Sequence, residues 1–195
     1  MQKRLCLALV LMLVLGVGGM ALAKNDTLVI GSGAEALGLE PRLETDVPSY
    51  ERINVIMEPL VKFDVEMNLV PCLATDWEFG EDALSLTFQL REGVTWHDGQ
   101  PFTAADVKYT FDWVLDTENA APNRGLYADI KEIEVVNDHV VKFHLAKRYS
   151  FLLNNIARMA IVPKHDGDRA DFRQKPIGTG PYVLVSWTRD DRMIL

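Results

Sequence analysis

The stretch REGVTWHDGQPFTAADVKYTF, residues 91–111, sets a histidine beside an aspartate and then switches from strand-like to helix-like patterning. A metal site needs three or four convergent ligands, and a hydrolase needs a nucleophile whose base is oriented by a third group. His97 and Asp98 have neither nearby. A backbone reading uses more of the residues. Val94 to Trp96 ends a strand, and His97-Asp98-Gly99-Gln100 makes a turn in which Gly99 takes a positive φ. Pro101 fixes the exit, Thr103 caps a helix, and Asp106 closes a capping box, with Phe102 and Val107 at the staple positions. The helix is expected to run to about Leu115, with Val107, Phe111 and Val114 facing a core.

Outward from this stretch, strands dominate. Leu84 to Arg91 alternates with period two, Leu84, Leu86, Phe88 and Leu90 pointing one way, and Ala74 to Phe79 is expected to pair with it. A second hairpin runs from Ile133 to Val136, turns at Asn137-Asp138 and returns over His139 to Leu145. Leu60–Phe63 and Leu69–Val70 read as another hairpin, and Ser49–Met57 as a helix ended by Pro59. Further expectations are strands at Thr27–Ile30, Ala160–Val162 and Tyr182–Trp187, a helix at Tyr149–Arg158, and a strand restarting at Arg192–Leu195 as though the chain were truncated.

The first 23 residues read differently. Lys3 and Arg4 precede an apolar run from Leu5 to Leu15, and Ala21-Leu22-Ala23 is an A-x-A cleavage signal. This predicts a secretory signal peptide cut after Ala23 and a periplasmic or extracytoplasmic location. Cleavage removes two of the 20 basic residues and none of the 28 acidic ones, leaving 18 against 28 and a net charge near −10. So acidic a chain argues against nucleic acid or an anionic membrane as partner. Cys72 is then the only cysteine, which points to a buried small hydrophobe and no internal disulfide.

No other motif supports catalysis. Ile30-Gly31-Ser32-Gly33 follows a strand pattern, but Gly38 and Pro41 leave no room for the helix that a dinucleotide site needs. Gly178-Thr179-Gly180-Pro181 lacks the Gly-Lys-Ser/Thr ending of a phosphate loop and feeds a strand. His139 and His144, five apart on one strand, face opposite sides. No G-x-S-x-G, H-E-x-x-H or C-x-x-C occurs. No cofactor, metal ligand or catalytic residue is expected, and a rival reading remains an exported hydrolase using His97 and Asp98.

Several blocks together carry a resemblance. Glu58 to Asp64 (EPLVKFD), Leu69 to Glu78 (LVPCLATDWE), Thr87 to Val94 (TFQLREGV), Trp96 to Val107 (WHDGQPFTAADV), Ile161 to Lys164 (IVPK) and Pro176 to Tyr182 (PIGTGPY) stand in this order. They resemble the extracytoplasmic solute-binding proteins of family 5, the dipeptide- and oligopeptide-binding subunits of ABC importers. Cys72 stands where alanine is common in that family, and Glu58-Pro59 replaces an aromatic-Glu-Gly.

The resemblance implies an α/β fold of the periplasmic binding protein kind (type II, cluster C-like), incomplete here. After the signal (1–23) come a first part of lobe I (24–62), an inserted small β-rich domain (63–169) and a resumed lobe I (170–195). It implies capture of peptides or similar small solutes by hinge closure, delivery to a membrane permease, and a monomeric state. An extended ligand pairs with backbone near the end of the first strand in such proteins, which corresponds here to Gly31–Ala36. Gly31, Ser32, Gly33, Ala34 and Glu35 are therefore candidate contacts, joined by Asn123, Arg124 and Tyr127 from the loop after the capped helix. Cargo, whether peptide, opine, nickel chelate, glutathione or sugar, does not follow. An inactive fragment is the remaining alternative.

Overall fold

The computed structural model describes residues 27–195; the expected signal peptide lies outside them. The chain divides into two units, residues 1–32 and 33–195. In the first, the described residues 27–32 form no strand, against expectation. An extended run becomes a strand only where a partner completes its ladder, and none of the described sheets includes it.

In the second unit, helix α1 (Val47–Ile56) starts where Asp46 accepts the Ser49 N–H at 2.9 Å, with proline in its first turn. Strands β1 (Val61–Phe63) and β2 (Leu69–Pro71) pair antiparallel. The turn between them is organised by Asp64, whose Oδ1 accepts from the N–H groups of Glu66 (3.0 Å) and Asn68 (2.8 Å).

A four-stranded antiparallel sheet follows, built from β3 (Ala74–Phe79), β4 (Ser85–Leu90), β5 (Ile130–Asn137) and β6 (Val140–Leu145) in the order β3-β4-β6-β5. Its register follows from the period-two pattern. Leu86, Phe88 and Leu90 of β4 and Val141, Phe143 and Leu145 of β6 all turn inward, while Leu84, one residue before β4, stays exposed. Helix α2 (Ala104–Leu115) lies across β5 and β6. Val107, Phe111 and Val114 are buried, and the Phe111 ring meets Phe143 edge-on at 5.2 Å.

The start of α2 is fixed by Asp106. Its Oδ2 accepts the Thr103 N–H at 2.8 Å, completing a capping box, and its Oδ1 accepts the Lys164 N–H at 2.8 Å. Phe102 and Val107 are both buried, as the staple requires. Gly99 has φ +88°, and the turn it closes is held by Gly99 N–H to Trp96 O at 2.8 Å.

Three expected elements shrink. The helix at 149–158 is only α3, Leu152–Ile156. Ala160–Val162 is not a strand but a single antiparallel bridge, Pro59 to Ala160. Tyr182–Trp187 pairs only over β7 (Ser186–Thr188), against β8 (Arg192–Ile194). In the two strand cases apolar patterning promised pairing that needs a neighbour, and the neighbouring backbone supplies isolated bonds such as Tyr182 N–H to Val55 O (3.2 Å). Two buried clusters result. The larger fills the space between the sheet and α2; the second joins Leu39, Ile53, Ile56 and Met57 to Ala160, Val162 and Phe172.

Replacing Asp106 with alanine removes the acceptor for two backbone N–H groups at once. The expected loss is about 2–4 kcal/mol in urea unfolding, with the m-value unchanged. A loss below about 0.5 kcal/mol would sink this account of the helix start.

Candidate functional site

His97 and Asp98, the polar pair of the opening stretch, are both committed to backbone and neighbouring side chains. The His97 N–H donates to Gly178 O (2.9 Å), its Nδ1 accepts the Gly178 N–H (3.1 Å), and its Nε2 lies 2.9 Å from Gly180 O. Asp98 accepts from the Gln100 N–H at 3.0 Å and from His165 Nε2 at 2.7 Å. The pair therefore stitches a turn to a distant segment. Among the described residues, no group of three or more His, Cys, Asp or Glu side chains is placed to hold a metal ion. None of their helices is long and apolar enough to cross a membrane.

The candidate contacts fall into two groups anchored on different elements. Gly31 and Ser32, in the first unit, are exposed. Gly33 is exposed too, with open space where a Cβ would stand. Ala34 O accepts from Arg52 at 3.0 Å. Glu35 is already employed: Oε1 accepts from Trp187 Nε1 (3.1 Å) and the Ala36 N–H (2.9 Å), and Oε2 from the Asp190 N–H (2.8 Å). The bond from the Asp190 backbone is the main reason its carboxyl is held below the usual range. Its side chain pins the β7–β8 hairpin.

In the second group, Asn123 and Arg124 are half-buried at a 3₁₀ turn, Arg124–Leu126. The Arg124 Nε donates to Leu115 O at the end of α2 (2.8 Å), and the Asn123 Oδ1 is buried without a hydrogen-bond partner. Tyr127 corrects the expectation of a cleft-facing contact. It is 1% exposed, its ring meets Phe111 edge-on at 5.3 Å, and its hydroxyl donates to Asn155 O at 2.9 Å. Burial pushes its phenol well above the ordinary tyrosine range. Tyr127 belongs to the core.

Two further supports were invisible in the sequence. Ser49, fully buried on α1, accepts the Leu37 N–H at 3.0 Å. Arg42 is also buried, bound to Glu40 through Nε (2.8 Å) and Nη2 (2.9 Å), with Nη2 also donating to Gly167 O (2.7 Å). Its guanidinium lies over Trp113 at 4.3 Å and Tyr109 at 5.1 Å. The run Glu40-Pro41-Arg42-Leu43-Glu44 reads as a solvated loop; only the aromatic pair four apart on α2 hints at a cation between them.

An antiparallel sheet covered by one helix and tied through the 160s to a second core defines the class: an α/β protein of the periplasmic binding protein fold. Residues 68–195 match the bacterial extracellular solute-binding proteins, family 5 Middle, and the chain belongs to that family. It is 32% identical over 167 residues to a glutathione-binding protein, GsiB, of Pectobacterium atrosepticum, covering 84% of this chain and 32% of that one. It is 34% identical over 175 residues to protein XP55 of Streptomyces lividans, covering 86% and 31%. The chain thus spans about a third of the length of the curated relatives it matches. Among solved structures it resembles the oligopeptide-binding protein AppA of Bacillus subtilis, in complex with a nonapeptide (TM-score 0.81, 29% identity, 85% and 35% covered). It also resembles NikZ of Campylobacter jejuni in complex with Ni(L-His) (TM-score 0.77, 34% identity, 84% and 34% covered).

Two outcomes follow. Because the folded Glu35 carboxyl titrates below its unfolded counterpart near 4.5, its grip on the hairpin is full above that pH and is lost as pH falls through the lower folded value. The Trp187 indole N–H, followed by NMR, should exchange faster below pH 4, and Glu35→Gln should flatten that dependence. Cys72 is buried, and burial raises its thiol to about 11. A disulfide reagent at pH 8 should label it at least about 100-fold more slowly in the folded chain than in urea. Equal rates would place Cys72 at the surface.

Proposed function

We propose that this chain is the N-terminal part of a solute-binding subunit of an ABC importer, one that captures peptides, glutathione or a similarly small solute for passage to a membrane permease. The observation that carries the reading is family membership together with 32% identity to a glutathione-binding protein. The likeness to a nonapeptide-bound relative supports an extended ligand as one form of cargo. Gly31, Ser32, Gly33, Ala34 and Glu35 remain candidate contacts through backbone, and Asn123 and Arg124 through side chains.

In this reading residues 24–62 and 170–195 belong to lobe I and residues 63–169 to an inserted small domain. The larger buried cluster lies within residues 63–169 apart from Leu60 and Val61, which supports that division, while the second joins Leu39, α1 and Phe172 to Ala160 and Val162 of the inserted segment. Export by cleavage after Ala23 into an extracytoplasmic space fits the family. The net acidity of the chain supports a solute rather than nucleic acid as ligand, and the protein is expected to act as a monomer.

The protein works as a clamp and not as an enzyme; the commitment of both His97 ring nitrogens to backbone atoms of 178–180 supports this. Thermal-shift titration of the chain against glutathione, di- and oligopeptides and nickel–histidine should raise the midpoint with one of these classes, in proportion to ln[ligand] above Kd. Arg124→Ala should weaken that shift. Peptides should emerge intact, and hydrolysis that Asp98→Asn abolishes would overturn the reading.

A further inference from the structure

Segment 178–180 is held from two sides. On one, Gly180 N–H donates to Ile56 O at 2.9 Å, and the Thr179 hydroxyl donates to Glu58 Oε2 at 2.9 Å. The contact with α1 is so close that a Cβ on Gly178 would stand 1.9 Å from Ile56 O. On the other side is His97. Its Nδ1 receives the Gly178 N–H, so that nitrogen must carry a lone pair, and its Nε2 must then carry the hydrogen donated to Gly180 O. The arrangement selects one neutral tautomer.

A proton added to Nδ1 would point at the Gly178 N–H. One hydrogen bond is lost and two donors are set face to face. We infer that His97 is a proton-sensitive positioning residue, clipping the 178–180 crossover to the turn at 97–100 only while its imidazole is neutral. The crossover leads toward the β7–β8 hairpin, which in turn is bonded to Glu35 and, through Arg189, to Leu37 O. Releasing the clip therefore loosens the hairpin that Glu35, one of the candidate contacts, is bonded to. The inference does not depend on which solute is bound.

The surrounding charges do not cancel this. On the same turn, the Asp98 carboxylate is bonded to His165 Nε2 at 2.7 Å rather than to His97. Across the crossover, Glu58 meets Thr179 and the Cys72 thiol.

The test is amide exchange of Gly178, resolved by NMR in the full chain at pH 8 and pH 5 and corrected for intrinsic rates. Protection is expected to fall by about tenfold at pH 5, the scale of one backbone bond lost with its donor left unmet. His97→Asn places an amide oxygen near the Nδ1 position and does not titrate, so its protection should be the same at both pH values. His97→Gln offers its amide near Nε2 and should be poorly protected at both. His165→Gln should keep the pH dependence. Equal protection of the unaltered chain at pH 8 and pH 5 overturns the inference, as does a pH dependence that survives in His97→Asn or vanishes in His165→Gln. Independently of any variant, imidazole nitrogen shifts at pH 8 should report the Nε2–H tautomer; the Nδ1–H form would refute it.

Discussion

Much of this chain hangs on one buried carboxylate. Asp106 divides its two oxygens between the first turn of α2 and the N–H of Lys164, and the Thr110 hydroxyl, one turn on, donates to Asp106 O at 2.8 Å while accepting the Val162 N–H at 2.9 Å. An ionised group can stay out of water only when its lone pairs are met by donors, and here the donors are backbone amides from two segments about sixty residues apart. The helix start and the 160–164 segment are therefore one structure. Because Val162 and Ala160 belong to the second buried cluster while Phe111 and Val107 belong to the first, this polar seam aligns the two cores.

The parts of the fold that were legible in the sequence are those whose cause is local. Capping residues act within five positions, and Thr103, Asp106, Phe102 and Val107 declare the helix before any neighbour is known. The inward set Leu86, Phe88 and Leu90 fixes its own register against β6, because a one-residue slip would turn all three to water. What misled were apolar runs without a specified partner. Tyr182 to Val185 has the composition of a strand, yet the backbone beside it gives single bonds to Val55 and Ile194 in place of a ladder. Composition states that a segment can pair and is silent on whether a strand lies alongside.

The candidate site was less legible for the same reason, carried further. Glu35 looks available on a loop, but its carboxylate is claimed by Trp187 and Asp190 from the other end of the chain. Tyr127 looks like a rim aromatic and is a core side chain, because the 3₁₀ turn before it rotates the ring onto Phe111. Arg42 is the converse. Arginine in a polar run is expected in water; here a bidentate glutamate and two aromatic faces replace the solvent, which requires segments near 40, 110 and 167 to meet. No local pattern contains that meeting.

These buried polar contacts share a consequence for the loop at 33–37. It has no regular secondary structure, and within it the Ala36 N–H donates to Glu35 Oε1 at 2.9 Å. Its backbone is held by Ser49 at the Leu37 N–H, by Arg52 at Ala34 O and by Arg189 at Leu37 O, all side chains from elsewhere in the fold. A loop shaped this way is ordered by the fold around it. Each of its supports is a single side chain whose replacement changes the loop without emptying a core. Alterations at Ser49, Arg52 or Arg189 would therefore reshape the loop while β4, β6 and α2 stay packed. Fold stability resides in the sheet and the Asp106 seam, and loop geometry resides in these separate side chains, so the two are separable within one sequence.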